Sequence, residues 1–149
     1  MKALLLVRHA KSSWRHKALA DLYRPLSGRG YRQALGIRAR LPVEPELWLC
    51  SPAVRAYSTA LLAGAAPLQL EPALYPGDVN ACLSCLDGLP DSLSRVAMVS
   101  HNPGLEALAE RLSGQSLVLK TAEMVLLCWQ GEWQSWRMGV QITPIRRED

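Results

Sequence analysis

The 149-residue sequence predicts an α/β fold with a central, mostly parallel sheet, helices on both faces and a C-terminal antiparallel hairpin. Short apolar runs that suit buried strands alternate with stretches whose apolar residues recur at helical spacing. This strand-helix order repeats four times. The last third then changes to two apolar and aromatic runs joined at Gln130-Gly131, the pattern of a tight hairpin. Parallel strands joined through helices are buried on both faces and connect by right-handed crossovers. No repeat, low-complexity tract or linker divides the chain, so residues 1–149 are expected to form a single domain.

Leu4 to Val7 is an unbroken apolar run and reads as the first strand. The polar, basic stretch from Trp14 to Tyr23 reads as a long surface loop with room for a helical turn. Ser27 suits an N-cap for a helix from Gly28 to Arg40, with Tyr31, Ala34, Leu35, Arg38 and Leu41 at helical spacing and Pro42 as its stop. Leu47-Trp48-Leu49-Cys50 is the second strand. Ser51 and Pro52, a cap and a first-turn proline, open a helix from Pro52 to Leu62 that ends at Gly64. Leu68 to Glu71 is a weak third strand. Asp78 is placed to cap a helix from Val79 to Leu86, which stops near Gly88-Leu89-Pro90. Arg95 to Val99 is the fourth strand, followed by a helix from Pro103 to Leu112 that ends at Gly114. Glu123 to Trp129 and Glu132 to Val140 are the two hairpin strands.

Composition excludes several classes. Apolar residues make up 49% and charged residues 20%, a globular balance. The net charge of +4 and a pI near 9.1 favour acidic partners through long-range steering, but the bases are dispersed and do not suggest nucleic-acid binding. Met1-Lys2 before Ala3 to Val7 is too short for a signal peptide, and no apolar stretch is long enough to span a membrane, so a cytoplasmic location is expected. Cys82 and Cys85 form a lone C-x-x-C in a helical stretch. Without a second pair or nearby histidines it does not make a metal site, and the four cysteines read as reduced packing thiols. Neither metal nor cofactor is expected.

The chemistry gathers at strand ends, where open α/β sheets bind ligands. The first strand ends in Arg8-His9, near Lys11, Ser12 and Ser13. The second is followed by Ser51 and Arg55, and the fourth by Ser100-His101-Asn102. If those strands are parallel neighbours, two arginines and two histidines face one crevice of a size for phosphate. Arginine forks match phosphate oxygens bidentately. Phosphoryl transfer rests mainly on positioning and charge stabilisation, and without a metal a histidine can be the nucleophile. A protonated second histidine and two arginines would hold the phosphoryl group and keep the attacking imidazole neutral.

Arg8-His9-Ala10-Lys11-Ser12 resembles the opening signature of the histidine phosphatase (phosphoglycerate mutase-like) superfamily, in which Arg-His-Gly is more usual. The stretches Arg24-Pro25-Leu26-Ser27-Gly28-Arg29-Gly30, Ser51 to Ala56, His101-Asn102-Pro103-Gly104-Leu105 and Leu119-Lys120-Thr121-Ala122 narrow the likeness to the small SixA-type phosphohistidine phosphatases. The match runs from Lys2 to about Trp136. The resemblance implies His9 as the phosphorylated nucleophile, Arg8 and Arg55 as clamps on the phosphoryl oxygens, and His101 as a further donor or positive charge. Ser12, Arg24 and Asn102 are expected to help bind substrate. The family's fold matches the one read above. SixA-type members remove phosphate from histidine-phosphotransfer domains of bacterial phosphorelays, which implies a histidine-phosphorylated protein as partner and a monomer in the cytoplasm, without nucleic acid or membrane.

Two departures bear on substrate. Ala10 replaces the commoner glycine of the superfamily. Where many relatives carry an acid directly after the second histidine, this chain has Asn102, which leaves Asp78 as a weak candidate for a general acid. An alkoxide leaving group needs a proton, whereas an imidazole with a conjugate-acid pKa near 6.5 needs much less help. A site rich in Arg and His but poor in acids therefore favours P–N bonds. The competing expectations are a phosphatase or mutase for a small phosphorylated metabolite and, in another class, a phosphate-recognising module without turnover.

Overall fold

The computed structural model describes residues 1–147. Its elements are β1 (Lys2–Arg8), α1 (Gly28–Leu35), α2 (Ile37–Arg40), β2 (Leu47–Cys50), α3 (Val54–Leu62), β3 (Leu68–Leu70), α4 (Val79–Asp87), β4 (Arg95–Ser100), α5 (Gly104–Ser113), β5 (Met124–Trp129) and β6 (Gln141–Ile145). The six strands make one mixed sheet in the order β3-β2-β4-β1-β5-β6. The first four strands are mutually parallel, and β5 and β6 run antiparallel at one edge. This is the mixed, mostly parallel α/β arrangement that the strand-helix order implies.

Strand β1 explains its own unbroken apolar run. Leu4 and Leu6 face a core built with α4 and α5, through Leu86, Leu105 and Leu108. Leu5 and Val7 face a second core built with α1 and α3, through Ala34, Ala56 and Ala60. Both faces of the strand are dry over Leu4 to Val7, and all four of those positions are apolar. Small residues along α3 (Ala53, Ala56, Ala60) are fully buried, which brings that helix close to the sheet.

Several elements differ from the sequence reading. The expected hairpin is not tight. Chain 130–140 loops out with a 3-10 turn at Trp136–Met138, and the returning strand starts only at Gln141. The cause is Trp133, which is fully buried and packs edge-on against Trp129 with ring centroids 5.6 Å apart. Its indole N–H donates to the Leu93 carbonyl at 3.1 Å. The aromatic run is thus a plug beside the sheet rather than a strand. The helix expected over 28–40 breaks at Gly36 into α1 and α2, and Ala34 and Ile37 turn inward while Tyr31 and Leu35 stay exposed. Helix α3 begins at Val54, not Pro52, with Ala53 at its cap position. Ser27 and Asp78 cap as expected, accepting from the Gly30 N–H (3.0 Å) and the Ala81 N–H (2.8 Å). Burial pushes the Cys50 and Cys82 thiols up to about 12, as suits packing groups.

Helix α5 starts against backbone. A Cβ on Gly104 would stand 1.8 Å from the Gly77 carbonyl oxygen. Gly104→Ala is therefore expected to destabilise the fold by about 1–3 kcal/mol, the usual cost of forcing atoms into a filled site. A urea midpoint matching wild type would contradict that packing.

Candidate active site

The parallel register brings three strand ends into line. Arg8 lies opposite Ser100 across β1 and β4, and Cys50 opposite Val99 across β2 and β4. The next residues continue the pattern: the His9 N–H donates to the Ser100 carbonyl (3.1 Å) and the Ser51 N–H to Val99 (2.9 Å). Arg8, His9, Ser51 and His101 therefore sit side by side because the chain leaves three adjacent strands at one level. A cleft of about 370 Å³ opens there, lined among others by Arg8, His9, Arg55, His101, Asn102 and Tyr75.

The two imidazoles are buried, with ring centres 5.0 Å apart. His9 Nδ1 is 2.7 Å from the Ala10 carbonyl oxygen, which can only accept, so Nδ1 carries the proton and Nε2 keeps its lone pair. The Ala10 N–H donates to Thr59 Oγ1 (2.9 Å), and that hydroxyl donates to the Arg55 carbonyl (2.7 Å), tying the loop after β1 to α3. His101 Nε2 is 2.7 Å from Ser51 Oγ, which also accepts from the Ala53 N–H at 3.2 Å. Ser51 is thus a partner of the second histidine as well as a turn-former.

Burial, reinforced by the charges of His101, Arg55 and Arg8, pushes the His9 pKa down to about 3. Burial and the Arg55 charge push His101 down to about 4. Both rings are neutral at pH 7. The expected protonated second histidine is corrected on this point: beside two guanidinium groups and out of water, His101 does not hold a proton by itself.

Arg8 donates from one terminal nitrogen to the Leu119 carbonyl (3.0 Å), which also accepts from Asn102 Nδ2 (2.8 Å). The Leu119 N–H in turn donates to Glu106 (2.7 Å). Ala122 holds a left-handed φ of 59°, a strain of about 1–2 kcal/mol for a residue with a Cβ. Its N–H donates to the Arg8 and His9 carbonyls at 3.1 and 3.2 Å. Buried Glu123 braces this turn, accepting from the Lys120 N–H (3.0 Å) and from Arg146 (3.0 Å).

Asp21, an acid within the stretch read as a long surface loop, is a hub. Arg55 donates to its backbone carbonyl (2.7 Å) and to Oδ2 (2.9 Å), Tyr75 donates to Oδ2 (2.8 Å), and Arg24 donates to Oδ1 (3.2 and 3.3 Å). These bonds, the Tyr75 hydroxyl foremost, hold the carboxyl down to about 2. Arg24 also donates to Ser12 Oγ and lies 3.8 Å over the Trp14 ring. Ser12 and Arg24 therefore stand together at the rim, while Arg8, His9, Arg55, His101 and Asn102 line the floor and walls. Asp78 lies outside this cleft and is taken up in capping α4. No sequence signal pointed to Tyr75 or Thr59, and Asp21 was visible only as an acid three residues before Arg24.

Four buried polar atoms of cleft residues have no partner: Arg8 Nε, Arg55 Nε and His101 Nδ1, and one acceptor, Asn102 Oδ1. Buried donors are normally satisfied, so a set of them around one space suits an anion with several oxygens. Among the described residues no group of His, Cys, Asp and Glu could hold a metal ion, and no helix is long and apolar enough to cross a membrane.

Fold and cleft together define an α/β enzyme that handles phosphoryl groups. The chain belongs to the histidine phosphatase superfamily, whose branch 1 model matches residues 4–79, and it is a phosphatase of that group. An uncharacterized protein of Mycobacterium leprae is 30% identical over 146 residues, 86% of this chain and 90% of that protein. Among solved structures, a Nakamurella multipartitia protein assigned as the phosphohistidine phosphatase SixA superposes with a TM-score of 0.84 at 26% identity, over 98% of this chain and 95% of that one. The protein histidine phosphatase SixA complexed with tungstate gives 0.82 at 22% identity, over 96% of each chain, a likeness of fold.

The histidines predict a pH dependence of stability. Both have folded pKa values below the unfolded value of about 6.5, so the unfolded chain binds more protons as pH falls. Stability is then full above pH 6.5 and falls as pH drops from there toward 4. Asp21, lowered from 3.8 to about 2, adds its loss only below pH 4. Urea midpoints from pH 7.5 to 4.5 should decline, and less steeply in His101→Gln. A flat profile over that range would contradict the neutral buried pair.

Proposed function

We propose that residues 1–149 act as one catalytic domain that removes phosphate from histidine-phosphorylated proteins, such as the phosphotransfer domains of phosphorelays, without a metal ion. The observation that carries this reading is the pairing of a free His9 Nε2 with a cleft whose single carboxylate is already engaged. Asp21 is the one carboxylate among the described lining residues, and three side chains hold it ionised. It has no proton to give an alkoxide. A leaving imidazole accepts its electron pair with far less assistance.

In this mechanism His9 Nε2 attacks phosphorus and the P–N bond of a substrate ring protonated on its other nitrogen breaks, the electron pair returning to that ring, which leaves as neutral imidazole. Arg8 and Arg55 stabilise charge on the equatorial oxygens, and His101 Nδ1 donates if it carries the proton. Water then attacks phospho-His9, releasing phosphate and restoring the free ring. Ser12 and Arg24 at the rim and Asn102 in the cleft help seat the substrate. The protein name SixA carried by close structural neighbours supports the same substrate class.

The test is phosphate release, without added metal, from a phosphorylated histidine-phosphotransfer domain, with a phosphoserine peptide and a small phosphate monoester alongside. Fast release from the domain is expected, lost in His9→Ala and reduced about 10²–10³-fold in Arg55→Ala, the usual cost of one donor to a developing charge. Release from the monoester alone would move the substrate to a small metabolite. Phosphate binding without release from any substrate would indicate a recognition module.

A further inference from the structure

The charge of this chain is divided along its length. Residues 1–43 carry ten Lys and Arg against one acid, Asp21, whereas residues 44–149 carry seven against twelve. The lone acid of the basic part is consumed by Arg24, Arg55 and Tyr75. The loop after β1 is therefore net positive, with Lys11, Arg15, Lys17 and Arg24 against Asp21.

This loop also exposes large apolar side chains. Trp14 is 71% exposed and Leu19 46%. Two shallow concavities flank it, one lined by Lys11, Trp14, Arg15 and His16, the other by Trp14, His16, Lys17 and Leu19. Both adjoin the cleft, and Trp14 lines all three. The loop is pinned in place: Ser12 bridges to Leu26, the Ser13 N–H donates to the Pro25 carbonyl at 2.8 Å, and Arg24 stacks on Trp14. An exposed aromatic held by an arginine among cations is the composition of an interaction surface.

We infer that the rim formed by Lys11, Trp14, Arg15, His16, Lys17 and Leu19 docks an acidic face of the phosphorylated protein beside its phosphohistidine. This rests on the substrate reading above and adds which surface selects the partner. Nucleic acid is the less favoured occupant, because the net charge is only +4 and the basic rim is confined to the border of a catalytic cleft. Steering by complementary charge raises encounter rates and fades with salt.

The experiment compares a phosphorylated histidine-phosphotransfer domain with an acidic face around its phosphohistidine and the same domain with those acids changed to Asn and Gln. Free phosphohistidine is the third substrate. Wild type is expected to favour the acidic domain about tenfold in kcat/KM at low salt, with the preference fading as salt rises. The double variant Arg15→Glu, Lys17→Glu should lose the preference and keep the wild-type rate on free phosphohistidine. Equal rates on both domains in wild type, or a preference surviving in the variant, would overturn the docking surface and leave the phosphatase reading standing. If none of the three is hydrolysed, that reading falls. The docking surface is then judged by binding: weaker, less salt-sensitive binding of the acidic domain to the variant supports it, and equal binding overturns it. Salt-sensitive retention of single-stranded DNA with no preference between the domains would overturn it in favour of nucleic acid.

Discussion

Arg8 on β1 stands opposite Ser100 on β4, and the rest of the cleft follows from that register. Parallel pairing carries both chains out of the sheet at the same level, so His9 and His101 emerge as neighbours with ring centres 5.0 Å apart. A slip of one residue along β1 would exchange its two apolar faces, sending Leu5 and Val7 to the face now occupied by Leu4 and Leu6. With both faces packed by helices, that slip is blocked by core volume. The site's geometry is thus a by-product of the most strongly determined part of the fold, and the hydrogen bond from His9 to Ala10 then sets which ring nitrogen is free.

Around that pair the protein accumulates positive charge and withholds negative charge. Arg8 and Arg55 sit beside two imidazoles that burial keeps neutral. Were His9 charged, it would be no nucleophile, and the arginines would repel it. The arrangement therefore solves two problems with one set of groups: the cations that would bind a phosphoryl group also suppress protonation of the ring that would attack it. Asp21 balances part of this charge, binding Arg55 on one carboxylate oxygen and Arg24 on the other. Its side chain is about half exposed, so these contacts are softened by solvent and contribute less to stability than a buried pair would.

The sheet was legible where local and global signals agreed. The run Leu4–Val7 can only be a doubly buried strand, and Ser27 and Asp78 could be read as caps because their side chains act within three residues. The strand-end residues Arg8, His9, Ser51 and His101 were legible as a group once the strands were taken as parallel neighbours. What escaped were features fixed by distant contacts. Trp133 looks like a strand residue until Leu93, forty positions away, accepts its indole proton. Tyr75 reaches Asp21 across 54 positions, and no spacing rule connects them. The charge state of His101 depends on burial, which a sequence pattern does not reveal.

The role of Asp21 sharpens the substrate argument. A carboxyl group acts as a general acid when its surroundings raise its pKa toward working pH, usually by burial away from cations or beside another carboxylate. Here every neighbour acts the other way: two guanidinium groups and a phenol donate to the same carboxylate, and the carboxyl falls to about 2. Asn102, next to the second histidine, donates its amide to Leu119 and has no acidic proton. The lack of a proton source matched to an alkoxide supports the proposed preference for leaving groups that are weak bases. Phosphohistidine meets that requirement through its own ring, which takes up the bonding electrons as a neutral imidazole once protonated. The same cations that deny the enzyme an acid are those suited to hold a phosphoryl group.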